Sequence, residues 1–180
     1  MPNAWDRPVD DPVRVVLERL FGPGIGSSNR LERMLVALVN QPPEVAWPVF
    51  FEMWPSCDDT WRLRRELLLF LRPLHQRSPG VAHLADAERA FLDGLHDPVR
   101  VFRGCSRSRA RGVSWSTDRA TAEQFARGHR SIPVPDPVVA EADVPKTAIF
   151  SVMLDRGECE VVLDPRRLRH LVLTPYAPLG

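Results

Sequence analysis

The apolar spacing of this chain changes period once, and that change limits the fold more than any single motif does. Up to about residue 95 the apolar residues recur at helical intervals. "DDPVRVVLERLFGPG" offers Asp11 as N-cap, Pro12 in the first turn and Gly22 as stop. "SSNRLERMLVALVNQPP" has Ser28 as cap, with Leu31, Leu35 and Leu38 on one face, and ends before Pro42. "PPEVAWPVFFEMWP" is apolar with Pro48 inside, which predicts a short or kinked helix. "DDTWRLRRELLLFLRPLHQRSPG" is the strongest helical segment, with Trp61, Leu67, Phe70, Leu71 and Leu74 toward a core. "LADAERAFLDGL" adds a short helix.

Beyond Pro98 the pattern alternates. "PVRVFRGC", "DPVVAEADV", "TAIFSVMLD", "ECEVVLD" and "LRHLVLTPY" read as strands separated by Pro, Gly or Asp. One helix interrupts them, "STDRATAEQFARGH", capped by Asp118 and striped with Ala122, Phe125 and Ala126. This predicts an α+β protein of two parts: a helical N-terminal region, 1–97, packed on a sheet-bearing unit, 98–180. The composition shift near 78–82, "SPGVA", is the seam.

Composition excludes several classes. A chain of 180 residues with 44% hydrophobic content suits one domain with an extension, not a disordered tail. No apolar run approaches a membrane span, and "MPNAWDRPVDDPVRVV" lacks an apolar segment after a basic start. The expectation is a protein that works in a cytosol, away from membranes. Cys57, Cys105 and Cys159 are odd in number and far apart, which argues for free, buried thiols over disulfides or a zinc site. No metal site is expected; His75, His83, His96, His129 and His170 lack ligand spacing. The formal charge is +1, with the excess of basic residues lying from Val99 onward. That permits an anionic ligand there without defining a nucleic-acid binder. Trp47, Trp54 and Trp61 fall at seven-residue steps, read here as core packing. "GPGIGSS" follows a helix and reads as a turn; "GVSWS" lacks the final glycine of a nucleophile elbow.

Three features of the second part belong together. "VRVFRG" ends a strand with Arg103 and Gly104, an arginine suited to phosphate and a glycine that lets backbone amides approach a ligand. "SWSTDRATAEQFA" places Ser114 and Ser116 two apart, so both hydroxyls face one side of an extended chain. "RGECEVVL" does the same with Glu158 and Glu160, and two carboxylates that close raise the pKa of at least one.

In this order and spacing the three motifs resemble the arginine–serine–glutamate branch of mono-ADP-ribosyltransferases, a group that includes clostridial actin-modifying toxins and phage-encoded enzymes. The resemblance covers about residues 98–175. Trp115 stands where the family has the middle Thr of Ser-Thr-Ser, and its side chain is expected to point away from the ligand. The helical first part matches no family motif.

The resemblance implies a split mixed β-sandwich holding NAD, as substrate, in a cleft between its sheets. It implies Glu160 as the catalytic glutamate and Arg103 as the holder of NAD. Gly104 would lend backbone groups to the nicotinamide amide. Ser114 would fix the ribose and orient Glu160, with Ser116 in support and Phe125 on the following helix. Glu158 would bind an acceptor arginine by a bidentate fork and take its proton. The implied activity is transfer of ADP-ribose to arginine of a target protein. An NAD glycohydrolase with the same site, a non-catalytic binding module and a nucleic-acid acceptor at "RSRARG" (107–112) are the alternatives.

Overall fold

The computed structural model describes residues 4–58, 60–128, 133–154, 157 and 159–177. The chain forms two compact units, one through Ala85 and the other from Asp86. The division falls just past the "SPGVA" seam, so the last helix of the region read as N-terminal goes with the sheet.

In the first unit α1 spans Pro12–Leu20. Asp11 caps it by accepting from the Val13 N–H at 2.8 Å, and Pro12 occupies the first turn, where its missing N–H costs nothing. Helix α2, Ser27–Leu38, is capped differently from the expectation at Ser28: Gly26 is the N-cap, and Asn29 reaches back to accept its N–H at 2.9 Å. Leu31, Met34 and Leu38 are buried, while Leu35 is half-buried. Helix α3, Pro43–Met53, runs through Pro48 and buries Val45, Ala46, Trp47, Val49, Phe50 and Met53. Its burial on nearly all sides offsets the hydrogen bond that Pro48 cannot make.

Helix α4, Arg64–Arg77, begins later than its sequence signal. Leu67, Leu71 and Leu74 enter the core; Phe70 is half-buried. Trp61 stays in the preceding turn, half-buried, with the Arg64 guanidinium 4.0 Å from its ring centroid. The three tryptophans therefore divide: Trp47 and Trp54 are buried, and Trp61 is not. Trp47 donates to the Ser78 carbonyl at 2.9 Å, which satisfies its one polar group.

The second unit opens with α5, Asp86–Gly94, which lies beside β4. The strands are β1 (Val99–Ser106), β2 (Ser114–Ser116), β3 (Pro137–Val144), β4 (Ile149–Met153), β5 (Glu160–Leu163) and β6 (Arg169–Pro175), with α6 (Arg119–Arg127) between β2 and β3. Their order across the sheet is β4-β5-β2-β1-β3-β6, and every described pairing is antiparallel. The fold class is α+β, but no parallel pair makes the sheet mixed among the described strands. The links 107–113 and 154–159 are too short for a parallel crossover.

The joints in this sheet are unequal. β1 and β3 pair along all eight residues, from Val99↔Val144 to Ser106↔Pro137. β1 and β2 meet at one pair, Phe102↔Ser116. The sheet is thus two three-stranded halves joined at a single residue. Helix α6 packs on the β1–β3 half, with Ala122 and Ala126 against Val139 and with Phe102 and Tyr176 at the margin. Gly104 makes this approach possible. A methyl group there would overlap the Ala122 carbonyl oxygen and lie 2.5 Å from the Ala126 nitrogen.

Candidate functional site

The site forms where the β1–β2 ladder stops. Arg103 is the residue after the one position at which β1 pairs with β2. Its Nη1 donates to the Ser114 carbonyl, and its Nε donates to the Arg109 carbonyl at 3.3 Å. A guanidinium therefore takes an acceptor that a continuing ladder would have given to a backbone N–H. With the hydrogen bond to the Cys105 thiol, these bonds engage three of its five N–H donors, which leaves donors for an anion.

Ser116 and Glu160 meet on the next joint. β2 and β5 pair Ser116↔Glu160 and Ser114↔Val162. Opposed residues of an antiparallel pair share a face, with Cβ atoms about 4.5–5.5 Å apart. The row continues on both sides, through Phe102 on β1 and Met153 on β4. Two backbone bonds frame this joint, Thr117 N–H to the Cys159 carbonyl at 3.1 Å and Leu163 N–H to the Val113 carbonyl at 2.9 Å.

Ser116 is buried, and its Oγ accepts from the Asp118 N–H at 3.0 Å. Asp118 in turn caps α6 by accepting from Thr121 N–H at 2.9 Å, Thr121 Oγ1 at 2.7 Å and Ala120 N–H at 3.2 Å. The Thr121 hydroxyl, then the two backbone N–H groups, hold the Asp118 carboxyl below its usual range. Burial pushes the Cys105 thiol up, against the opposing charge and hydrogen bond of Arg103.

Several sequence-based expectations change here. The serine directly opposite Glu160 is Ser116, not Ser114; Ser114 contributes its carbonyl to Arg103. Arg103 and Glu160 are linked through β2. Strict alternation along β1 would send Arg103 to the face opposite Phe102 and Glu160. Gly104 needs no ligand to explain it, since α6 occupies the space beside it. Phe125 is half-buried on α6, whereas Ala122 and Ala126 are buried.

The reading of Glu158 and Glu160 as neighbours on one face assumed an extended chain. Cys159 has φ +44°, a left-handed conformation that interrupts the alternation, and β5 begins at Glu160. Glu158 itself, like His129, lies outside the described residues. Of the thiols, Cys105 is buried, whereas Cys57 and Cys159 are half-buried and free. Burial raises the Cys57 thiol to about 12.

Trp115 is buried, and its Nε1 donates to the Gly112 carbonyl at 2.9 Å. Alternation on β2 sends it away from the Ser114–Ser116 face, as expected. Gly112, which also borders Arg103, went unrecognised in the sequence. Its one signal was a glycine immediately before "VSWS". Among the described residues no group of three His, Cys, Asp or Glu is placed to hold a metal ion, and no helix is long and apolar enough to cross a membrane. Comparison with models of known families, with characterised proteins and with solved structures returned no match.

Proposed function

We propose that this chain is an NAD-dependent mono-ADP-ribosyltransferase acting on arginine of a target protein. One observation carries the reading. Arg103, Ser116 and Glu160 come from three motifs far apart in sequence, yet they lie on three consecutive strands where the sheet is nearly divided, so a ligand crossing that gap would meet Arg103 from one face and the Ser116–Glu160 pair from the other. A sheet open between β1 and β2 suits a split fold with a cleft. The spare guanidinium donors of Arg103 suit a diphosphate.

In this reading Arg103 holds NAD. Glu160 stabilises the positive charge that develops on the ribose as the bond from C1′ to nicotinamide breaks, its electron pair leaving on nicotinamide. The acceptor guanidino nitrogen forms the new bond to C1′, and its proton passes to the Glu158 carboxylate. Ser116, fixed by the Asp118 N–H, orients Glu160.

The test pairs two readouts on folded protein given labelled NAD and an arginine-bearing acceptor: nicotinamide release and ADP-ribose on the acceptor. Both are expected from the wild type. Glu158→Ala is expected to lose arginine transfer and keep nicotinamide release, because water needs no guanidinium fork. Release without transfer in the wild type would make the protein a glycohydrolase. Absence of both would remove the reading.

A further inference from the structure

We infer that Gly112 is a positioning residue for Arg103: its missing side chain is the berth in which the guanidinium rests. The inference rests on the reading of Arg103 as the group that holds NAD, but the berth itself is a matter of geometry. A methyl group at position 112 would fall 2.5 Å from Arg103 Cζ, 2.6 Å from Nη2 and 2.8 Å from Nε. Carbon and nitrogen atoms do not approach so closely without bonding, so the flat guanidinium lies against a bare Cα.

Three contacts keep the berth in place. The Trp115 indole N–H holds the Gly112 carbonyl at 2.9 Å. The Arg109 carbonyl, earlier in the same loop, accepts from Nε, and the Ser114 carbonyl, two residues after Gly112, accepts from Nη1. The loop 109–114 thus folds around one side chain: two carbonyls set the plane of the guanidinium, and Gly112 lets it close on the backbone.

Gly112 is not in a left-handed conformation, so alanine is allowed there by its backbone. The atoms a methyl group would strike are the far end of a flexible side chain, which can move. Glycine at 112 is therefore dispensable to the backbone and needed by Arg103. Gly104 is the opposite case, since backbone atoms of α6 fill the space beside it. Gly112→Ala should displace the guanidinium without unfolding the protein or altering Arg103 itself.

The experiment is a double-mutant cycle on the full chain: wild type, Gly112→Ala, Arg103→Ala and the double variant. Denaturant unfolding without ligand reads the berth independently of function. Gly112→Ala is expected to lower the unfolding midpoint when Arg103 is present. In the Arg103→Ala background it should raise the midpoint, because alanine restricts the unfolded chain. The same shift in both backgrounds would overturn the inference.

Nicotinamide release then reads the role. Gly112→Ala should raise the KM for NAD about tenfold, the worth of roughly one charge-assisted hydrogen bond, with kcat nearly unchanged. An unchanged KM in an active enzyme would overturn the positioning role even if the berth couples. A wild type that neither binds nor cleaves NAD would overturn the proposed function and with it this role, while the unfolding cycle would still report on the berth.

Discussion

β1 has two flanks, and they are built on different principles. Toward β3 it pairs along its whole length, and the ion pairs of Arg100 with Glu141 and Asp143 add to a ladder the backbone has already completed. Toward β2 it pairs once, and the joint is completed by a side chain, Arg103, bonded to the Ser114 carbonyl. The first flank is insulated: α6 lies so close over it that position 104 has no room for a methyl group. The second is open to chemistry, with Ser116 and Glu160 paired on the next joint. The lesson is where a sheet can hold polar work. A complete ladder uses up its backbone groups and packs its faces. An interrupted one leaves acceptors that a charged side chain can take, with donors to spare.

The largest effect expected from this contrast is at the open flank. Glu160→Gln keeps the shape of the side chain and removes its charge, so nicotinamide release should fall by about 10²–10³-fold while circular dichroism stays that of the wild type. A folded Glu160→Gln protein with near-normal release would detach the glutamate from the chemistry.

The mirror experiment belongs to the closed flank. Gly104→Ala forces a methyl group onto helix backbone that cannot swing aside, and it should cost at least about 3 kcal/mol in denaturant unfolding. A Gly104→Ala variant as stable as the wild type would mean that α6 does not seal this flank, and the contrast would fail.

Arg103 tests whether the open flank binds. NAD at about a hundredfold excess over its Kd should stabilise the native state by about 2.7 kcal/mol, read as a rise in melting temperature. Arg103→Ala should erase most of that rise. An undiminished rise would place NAD elsewhere.

The smallest effect separates the two flanks by pH. Asp118 caps α6, with its carboxyl held low by Thr121 and the backbone N–H groups. Asp143 on the β1–β3–β6 side is held low first by its bond to Arg100 and then by His170. Each has a folded-state pKa below its unfolded value of about 3.9. Each therefore adds stability that is present above that value and lost as pH falls through the folded pKa. Asp118→Ala should flatten the acid limb of the stability profile, and Asp143→Ala should do so in addition, because the two carboxylates have different hydrogen-bond partners. If the double variant were no flatter than either single one, the two carboxylates would not be separate.

Much of this molecule was readable in one dimension because the signals are local. Asp11 and Asp118 cap the helices they precede, since capping needs only a carboxylate and the next two or three N–H groups. The switch from helical spacing to alternation gives the α+β class, and "EVVL" begins a strand with Glu160 at its head. Cys159 shows where local reasoning stops: its left-handed φ departs from the extended geometry on which the two-residue rule rests, while Glu158 lies outside the described residues. Trp61 and Ser28 carry ordinary helix signals that packing and Asn29 override.

Residue type and local spacing alone specify which residues carry charge and hydroxyls, where the aspartate-capped helices start, and that strands fill the second part. Tertiary structure decided which of them meet. Whether a glycine serves a ligand, a helix or a guanidinium depends on what arrives from elsewhere in the chain: α6 at Gly104, the Arg103 side chain at Gly112. The serine that faces Glu160 depends on strand register, and a shift of one residue would turn every side chain of β2 to the other face. Those are long-range facts, set by how strands pair and helices pack, and no short stretch of residues encodes them.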